Sequence, residues 1–245
     1  MTKTHLERPL DQSDLSQTAV LKITFGSAVD LGFRSELLAP QAVVQTGKRS
    51  RRFMARLQIS DSEKKRAAVR ILGISGSGRK KSYNTALLEG AKTLVPEGAV
   101  VEILELSRFQ LFNEDLLAEM PAEIREFKER VKQSDAILFA TPEYNYSISA
   151  VLKNAIEWGN QPDNSWDGKP AAIISASSSL RGGARAQAHL RQIMVDLNMH
   201  PINQPQLLLA RAGEKFDANL KLVDSASLKT LQSLLEALVE WSRRF

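Results

Sequence analysis

The chain contains no cysteine. That excludes disulfides, thiolate metal sites and a cysteine nucleophile, and it accords with a reducing cytoplasm, the expected location. Histidine is scarce as well: His5, His189 and His200 share no metal-ligand spacing, so each reads as a surface or locally satisfied residue and no metal is expected. No run approaches the ~18 apolar residues of a membrane-spanning helix. The N-terminus lacks the apolar segment of a secretory signal, so no membrane association is expected. Charge of one sign is in excess only locally. Residues 1–66 hold 12 Lys and Arg against 7 Asp and Glu, the whole of the net +5, and the remainder is balanced. A nucleic-acid-binding fold carries a basic stripe of its own, so no nucleic-acid partner is expected.

A length of 245 residues allows one large domain, or one domain with an appendage. Residues 1–68 show short apolar runs without sustained periodicity, a basic cluster at Lys48–Arg52 and a charged run at Asp61–Arg66. They are expected to form a largely disordered N-terminal extension. From Val69 the pattern changes. Strand-like runs at Val69–Ser75, Ala99–Leu106, Asp135–Thr141, Pro170–Ser175 and Gln206–Leu209 alternate with helical stretches. Those stretches run from Tyr83 to Val95, from Pro121 onward, from Ala150 to Trp158 and from Ala184 to Leu197, with a final one carrying Leu228 to Val239. Such alternation predicts an α/β domain over residues 69–245, a doubly wound parallel sheet with helices on both faces. Ligands of these sheets bind beyond the carboxyl ends of the strands, at the switch point. The loops after strands one, three and four are therefore the candidate site.

The first of these loops, Gly73–Thr85 (GISGSGRKKSYNT), is rich in glycine and hydroxyls. Glycines let backbone N–H groups turn toward an anion at the following helix N-terminus. Ser75, Ser77, Ser82 and Thr85 add hydroxyl donors, and Arg79 adds a charge-assisted contact. A P-loop would need lysine where Arg79 follows Gly78, and a dinucleotide fingerprint would need glycine where Lys81 stands. What remains is a cradle suited to a phosphate monoester such as that of FMN, or a solvated turn with ordinary caps. The second loop, Thr141–Ser149 (TPEYNYSIS), could flank a planar ring with its aromatics, or Tyr144 and Tyr146 could simply cap the sheet. The third, Ser175–Gln187 (SASSSLRGGARAQ), reads either as close backbone approach to a ligand or as a surface turn.

Taken in order, GSGRKKSYN, PEYNYS with LKNAIEW, and GGARAQAHLR resemble the NADPH-dependent FMN reductase family, which includes quinone, chromate and azo-dye reductases. The resemblance runs from about Val69 to Trp241. It implies a flavodoxin-like fold with a five-stranded parallel sheet ordered 2-1-3-4-5, FMN as cofactor and NADPH or NADH as co-substrate. It also implies a small-molecule acceptor such as a quinone, free flavin, azo compound or chromate, and a homodimer or homotetramer. Carried over residue by residue, the FMN phosphate falls to Ser77, Arg79, Ser82, Asn84 and Thr85. The isoalloxazine falls to Pro142, Glu143, Tyr144, Asn145 and Tyr146, and its other edge to Ser177, Ser178, Ser179, Gly182 and Gly183. Ile148-Ser149 and Ser178-Ser179 stand where the family has proline-glycine, and side chains there are expected to narrow the space over the ring. Catalysis is expected to need no protein acid–base pair, because the flavin carries the chemistry in a ping-pong cycle. The alternatives are a flavodoxin-like electron carrier without substrate turnover and a binding module that has lost its flavin. Carriers of that type are usually strongly acidic, whereas this domain is neutral.

Overall fold

The computed structural model describes residues 68–106 and 109–245. The extension expected over residues 1–68 lies, save Ala68, outside them. The elements are β1 (Val69–Ser75), α1 (Tyr83–Leu94), β2 (Ala99–Glu105), α2 (Ala122–Gln133), β3 (Ala136–Ala140) and α3 (Ala150–Asn160). They continue with β4 (Pro170–Ala176), α4 (Ala184–Asp196), β5 (His200–Pro201), β6 (Leu207–Leu209) and α5 (Ser225–Ser242). Among the described residues no helix is long and apolar enough to cross a membrane.

All strand pairs are parallel, in the order β2-β1-β3-β4, with β5 and β6 successive along the outer edge of β4. This is the expected 2-1-3-4-5 sheet, its fifth place filled by two short pieces. β5 pairs with Pro170 and Ala171, and β6 with Ile174 to Ala176. Between them Pro205 has no N–H to offer a ladder. The pair His200-Pro201 carries no apolar run, so no pattern announced β5.

Strand side chains alternate between two cores, as a pleat requires. Ile71, Leu138 and Ile174 pack with α1 and α5, whereas Leu72, Ile74, Ile137, Phe139 and Ile173 pack with α2, α3 and α4. β3 and β4 are buried along their whole length, as a sheet covered on both faces demands. On the three-helix side Trp166 stacks against Phe127 and Phe139, each 5.7 Å away between ring centres. Gly159 of α3 gives way to this indole: a Cβ there would lie 2.4 Å from Trp166 Nε1. The end of α3 is closed from α2. Lys128 is buried, and its ammonium donates to the carbonyls of Trp158 (3.4 Å), Gly159 (3.2 Å), Gln161 (2.9 Å) and Asp163 (2.7 Å). It thereby satisfies carbonyls that have no intrahelical partner, at the negative end of the helix dipole.

Candidate functional site

The chain leaves β1 toward the α1 face and leaves β3 toward the α3 face. A crevice therefore opens between the carboxyl ends of β1 and β3, the place such sheets reserve for ligands. A cleft of about 200 Å³ lies there. Ser77, Arg79, Ser82, Tyr83 and Asn84 line it from the first loop, Pro142, Glu143 and Tyr144 from the second, and Ala176, Ser177 and Ser178 from the third. The three loops singled out in the sequence thus meet at one site. A wider groove of about 500 Å³ runs along the outer side of α1, from Lys80 to Leu222 and Leu228. It lies off the strand ends and is not the crevice of the fold.

In the first loop, Ser82 is the N-cap of α1 and accepts from the Thr85 N–H at 3.3 Å. Among the described residues its hydroxyl proton has no acceptor, which leaves it to a ligand. Arg79 is exposed and spends one Nη2 donor on the Lys81 carbonyl at 2.8 Å, leaving the rest of its fork. Two residues mapped to the phosphate are committed elsewhere. Thr85 Oγ1 pairs with Ser75 Oγ at 2.8 Å and faces the outer groove. Asn84, 4% exposed, donates to the Ala176 carbonyl at 3.0 Å and accepts from the Ala176 N–H at 2.9 Å. It borders the cleft with one N–H and one oxygen lone pair engaged on β4.

The second loop is a two-residue hairpin. Tyr144 and Ser147 exchange both backbone hydrogen bonds at 3.0 Å, and the tip residues Asn145 (φ 49°) and Tyr146 (φ 70°) are left-handed. That is the geometry of a tight primed turn, with an aromatic residue where glycine is usual. Tyr144 lines the cleft, whereas Asn145 and Tyr146 stand at the tip beyond it. Ile148 and Ser149, expected to narrow the space over the ring, are buried and are not among the residues that line the cleft. Ser149 caps α3, accepting from Leu152 N–H at 3.3 Å and donating to the Gly76 carbonyl at 2.5 Å. It therefore ties the second loop to the first.

The third loop places Ser177 and Ser178 in the cleft. Ser179 folds back, its hydroxyl 3.0 Å from that of Ser177 and its carbonyl taken by the Arg211 N–H at 3.1 Å. Gly182 (φ 60°) and Gly183 (φ 88°) do make a close backbone approach, but to their own chain. A Cβ on Gly182 would meet the Leu208 backbone at 2.7 Å, and one on Gly183 would meet Ser175 Cβ at 2.7 Å. Gly183 is the N-cap of α4 and has no side chain to cap with. Glu143 supplies the missing acceptor, taking the Arg185 N–H at 3.0 Å on Oε2 and pairing with the Arg185 guanidinium at 3.3 Å on Oε1.

Two participants went unforeseen. Tyr83, the first residue of α1, lines the cleft and packs on Phe216, ring centres 5.0 Å apart. It sits inside the SYN run, so its place beside the cap Ser82 was the available signal. The turn after β6 was invisible: the N–H groups of Arg211 and Ala212 bond the carbonyls of Ser179 and Ser177, and nothing in that stretch resembles a motif.

Residues 69–214 match the family described as NADPH-dependent FMN reductase. The chain belongs to that family. An NAD(P)H-dependent FMN reductase of Pseudomonas aeruginosa is 47% identical over 178 residues, covering 72% of this chain and 96% of its own. An NADPH:quinone oxidoreductase of Arabidopsis thaliana is 42% identical over 183 residues, covering 72% of this chain and 93% of its own. Among solved structures, the flavoenzyme NAD(P)H:(acceptor) oxidoreductase of Paracoccus denitrificans superposes with a TM-score of 0.67. It shares 32% identity and covers 72% of this chain and 98% of its own. Like its family, this NADPH-dependent FMN reductase is an oxidoreductase that works with FMN and draws its electrons from NAD(P)H.

Proposed function

We propose that the cleft holds FMN and that the enzyme passes two electrons from NAD(P)H to a quinone. The observation that carries this reading is the convergence of Ser77, Arg79 and Ser82 at the N-terminus of α1 with the second and third loops around one cleft. Free hydroxyl donors, an arginine fork and a helix N-terminus suit a phosphate monoester. Tyr144 with Pro142 on one side and Ser177 and Ser178 on the other suit a flat ring with a polar edge. Bound there, FMN would supply the redox chemistry of two-electron transfer between NAD(P)H and the acceptor.

The protein's own part is to bind and orient. Ser77, Arg79 and Ser82 hold the phosphate, and Asn84, Thr85, Gly182 and Gly183 keep the loops at their spacing. Glu143 braces the second loop against α4, with Asn145 and Tyr146 at the rim and Ser179 behind the third loop. The quinone as acceptor is supported by the relatives that reduce quinones by name. The absence of cysteine accords with the cytoplasm, and a homodimer or homotetramer is the assembly that the family resemblance implies. The electron-carrier reading has no support in the family. The test is a purified yellow protein that releases FMN in acid and oxidises NADPH steadily with 1,4-benzoquinone. A colourless protein that FMN does not reconstitute, one holding FAD, or one that no quinone reoxidises overturns the proposal.

A further inference from the structure

Arg185 belongs to none of the cleft-lining residues, yet two residues of the second loop depend on it. Its guanidinium carbon lies 3.5 Å from the centre of the Tyr146 ring, a close cation–π stack. The same group pairs with Glu143 at 3.3 Å, so the fork is held in place from below. One turn further along α4, on the same face, His189 Nδ1 lies 3.1 Å from Ser147 Oγ. The hairpin is thus anchored to α4 on both sides of its tip. Without such an anchor, a tyrosine at φ 70° and 62% exposed would have little reason to keep one orientation. With it, one ring face is spent on the arginine, and the exposed ring stands at the hairpin tip just beyond the cleft, two residues from the cleft-lining Tyr144.

We propose that Arg185 is a positioning residue for the electron acceptor. It locks Tyr146 as a platform whose other face stacks a flat, electron-poor ring of the quinone class. The inference rests on the function proposed above and adds to it a residue and a surface. Arginine suits this role better than lysine because its planar fork stacks on the ring and bonds Glu143 at once.

The experiment is a double-mutant cycle on the full-length holoenzyme, reading flavin content and kcat/KM for 1,4-benzoquinone. Arg185→Gln should keep its FMN and lower kcat/KM about fivefold, mainly through KM. Arg185→Lys should recover part of the loss. Tyr146→Leu should cost at least as much, and adding Arg185→Gln to it should change nothing beyond about twofold, because the arginine acts through the ring. An Arg185→Gln enzyme within twofold of wild type overturns the proposal, as do two losses that multiply in the double variant. If Arg185→Gln loses its flavin, Arg185→Lys carries the test with the same cycle: a loss that vanishes beside Tyr146→Leu supports the proposal, and one that persists overturns it. A wild-type protein that binds no FMN or reduces no quinone refutes the proposed function instead.

Discussion

The carboxamide of Asn84 pairs with both backbone groups of Ala176, acting as a surrogate strand. The need for it arises because β3 ends at Ala140 while β4 runs on to Ala176. The β3–β4 ladder ends with the Thr141 N–H on the Ile174 carbonyl, so Ala176, paired with β6 on its other edge, finds no β3 residue on this one. A primary amide offers one donor and one acceptor at the spacing of a peptide group, so it closes the ladder from α1. Asn84→Ala should destabilise the fold by about 2 kcal/mol, the cost of leaving buried groups unpaired. Asn84→Asp should cost more, since it turns an acceptor toward the Ala176 carbonyl. Urea unfolding measures both. A variant as stable as wild type would show that water or a neighbour satisfies Ala176.

Arg79 and Lys80 are neighbours with different surroundings: Arg79 lines the cleft and Lys80 lines the outer groove. Arg79→Ala should weaken FMN binding by about 1.5–3 kcal/mol, the size of a hydrogen bond to a charged group. Lys80→Ala should do much less. Fluorescence titration of the apoprotein with FMN separates the two, and equal losses would place the phosphate elsewhere.

Lys128 closes the end of α3 through four carbonyls, and burial holds its ammonium below the ordinary lysine range. Lys128→Met fills the volume of the stem but strips these carbonyls of their ammonium, leaving Gly159 only the Ser165 N–H, and should cost about 2–3 kcal/mol at pH 7, read by urea unfolding.

Asp163 is held below the usual carboxylate range, first by its hydrogen bond from Lys132 at 2.7 Å and also by Lys128. A carboxylate depressed in the folded state contributes stability above its unfolded value near ~4, and loses it as pH falls through the folded value. The Asp163 side chain is 58% exposed, so Asp163→Asn should cost only about 0.5–1 kcal/mol at pH 7. The difference from wild type should close as pH falls below the unfolded value and through the depressed folded value. Unfolding curves at several acid pH values test the sign, and a gap that widens toward low pH would refute it.

Deleting residues 1–66 should leave FMN binding and turnover within about twofold. The strand–helix alternation and the family match both begin at residue 69, and ~179 residues bury close to ~70% of their chain surface unaided. Loss of flavin or of folding in the truncated protein would move the domain boundary toward the N-terminus.

The sequence by itself determined the layer order of this protein. The apolar runs at Ala136–Ala140 and Pro170–Ile174, set between helical stretches with one apolar stripe each, point to a parallel sheet covered on both faces. That order already designated the first, third and fourth loops. Hydroxyl and glycine density in those loops was legible too, because it is local chemistry. What each polar group does there was decided by the tertiary structure. Asn84, Thr85 and Glu143 look like ligands in a list of motifs. In the fold, Asn84 completes a ladder that β3 leaves one residue short, Thr85 meets Ser75, and Glu143 caps a helix whose own cap had to be Gly183. Arg185 and the turn after β6 reach the site across 42 and 32 residues of chain respectively, from Glu143 and from Ser179. The physical reason is the same in each case: a buried polar group must find a partner, and which partner lies within 3 Å depends on how remote segments pack, a distance no local pattern encodes.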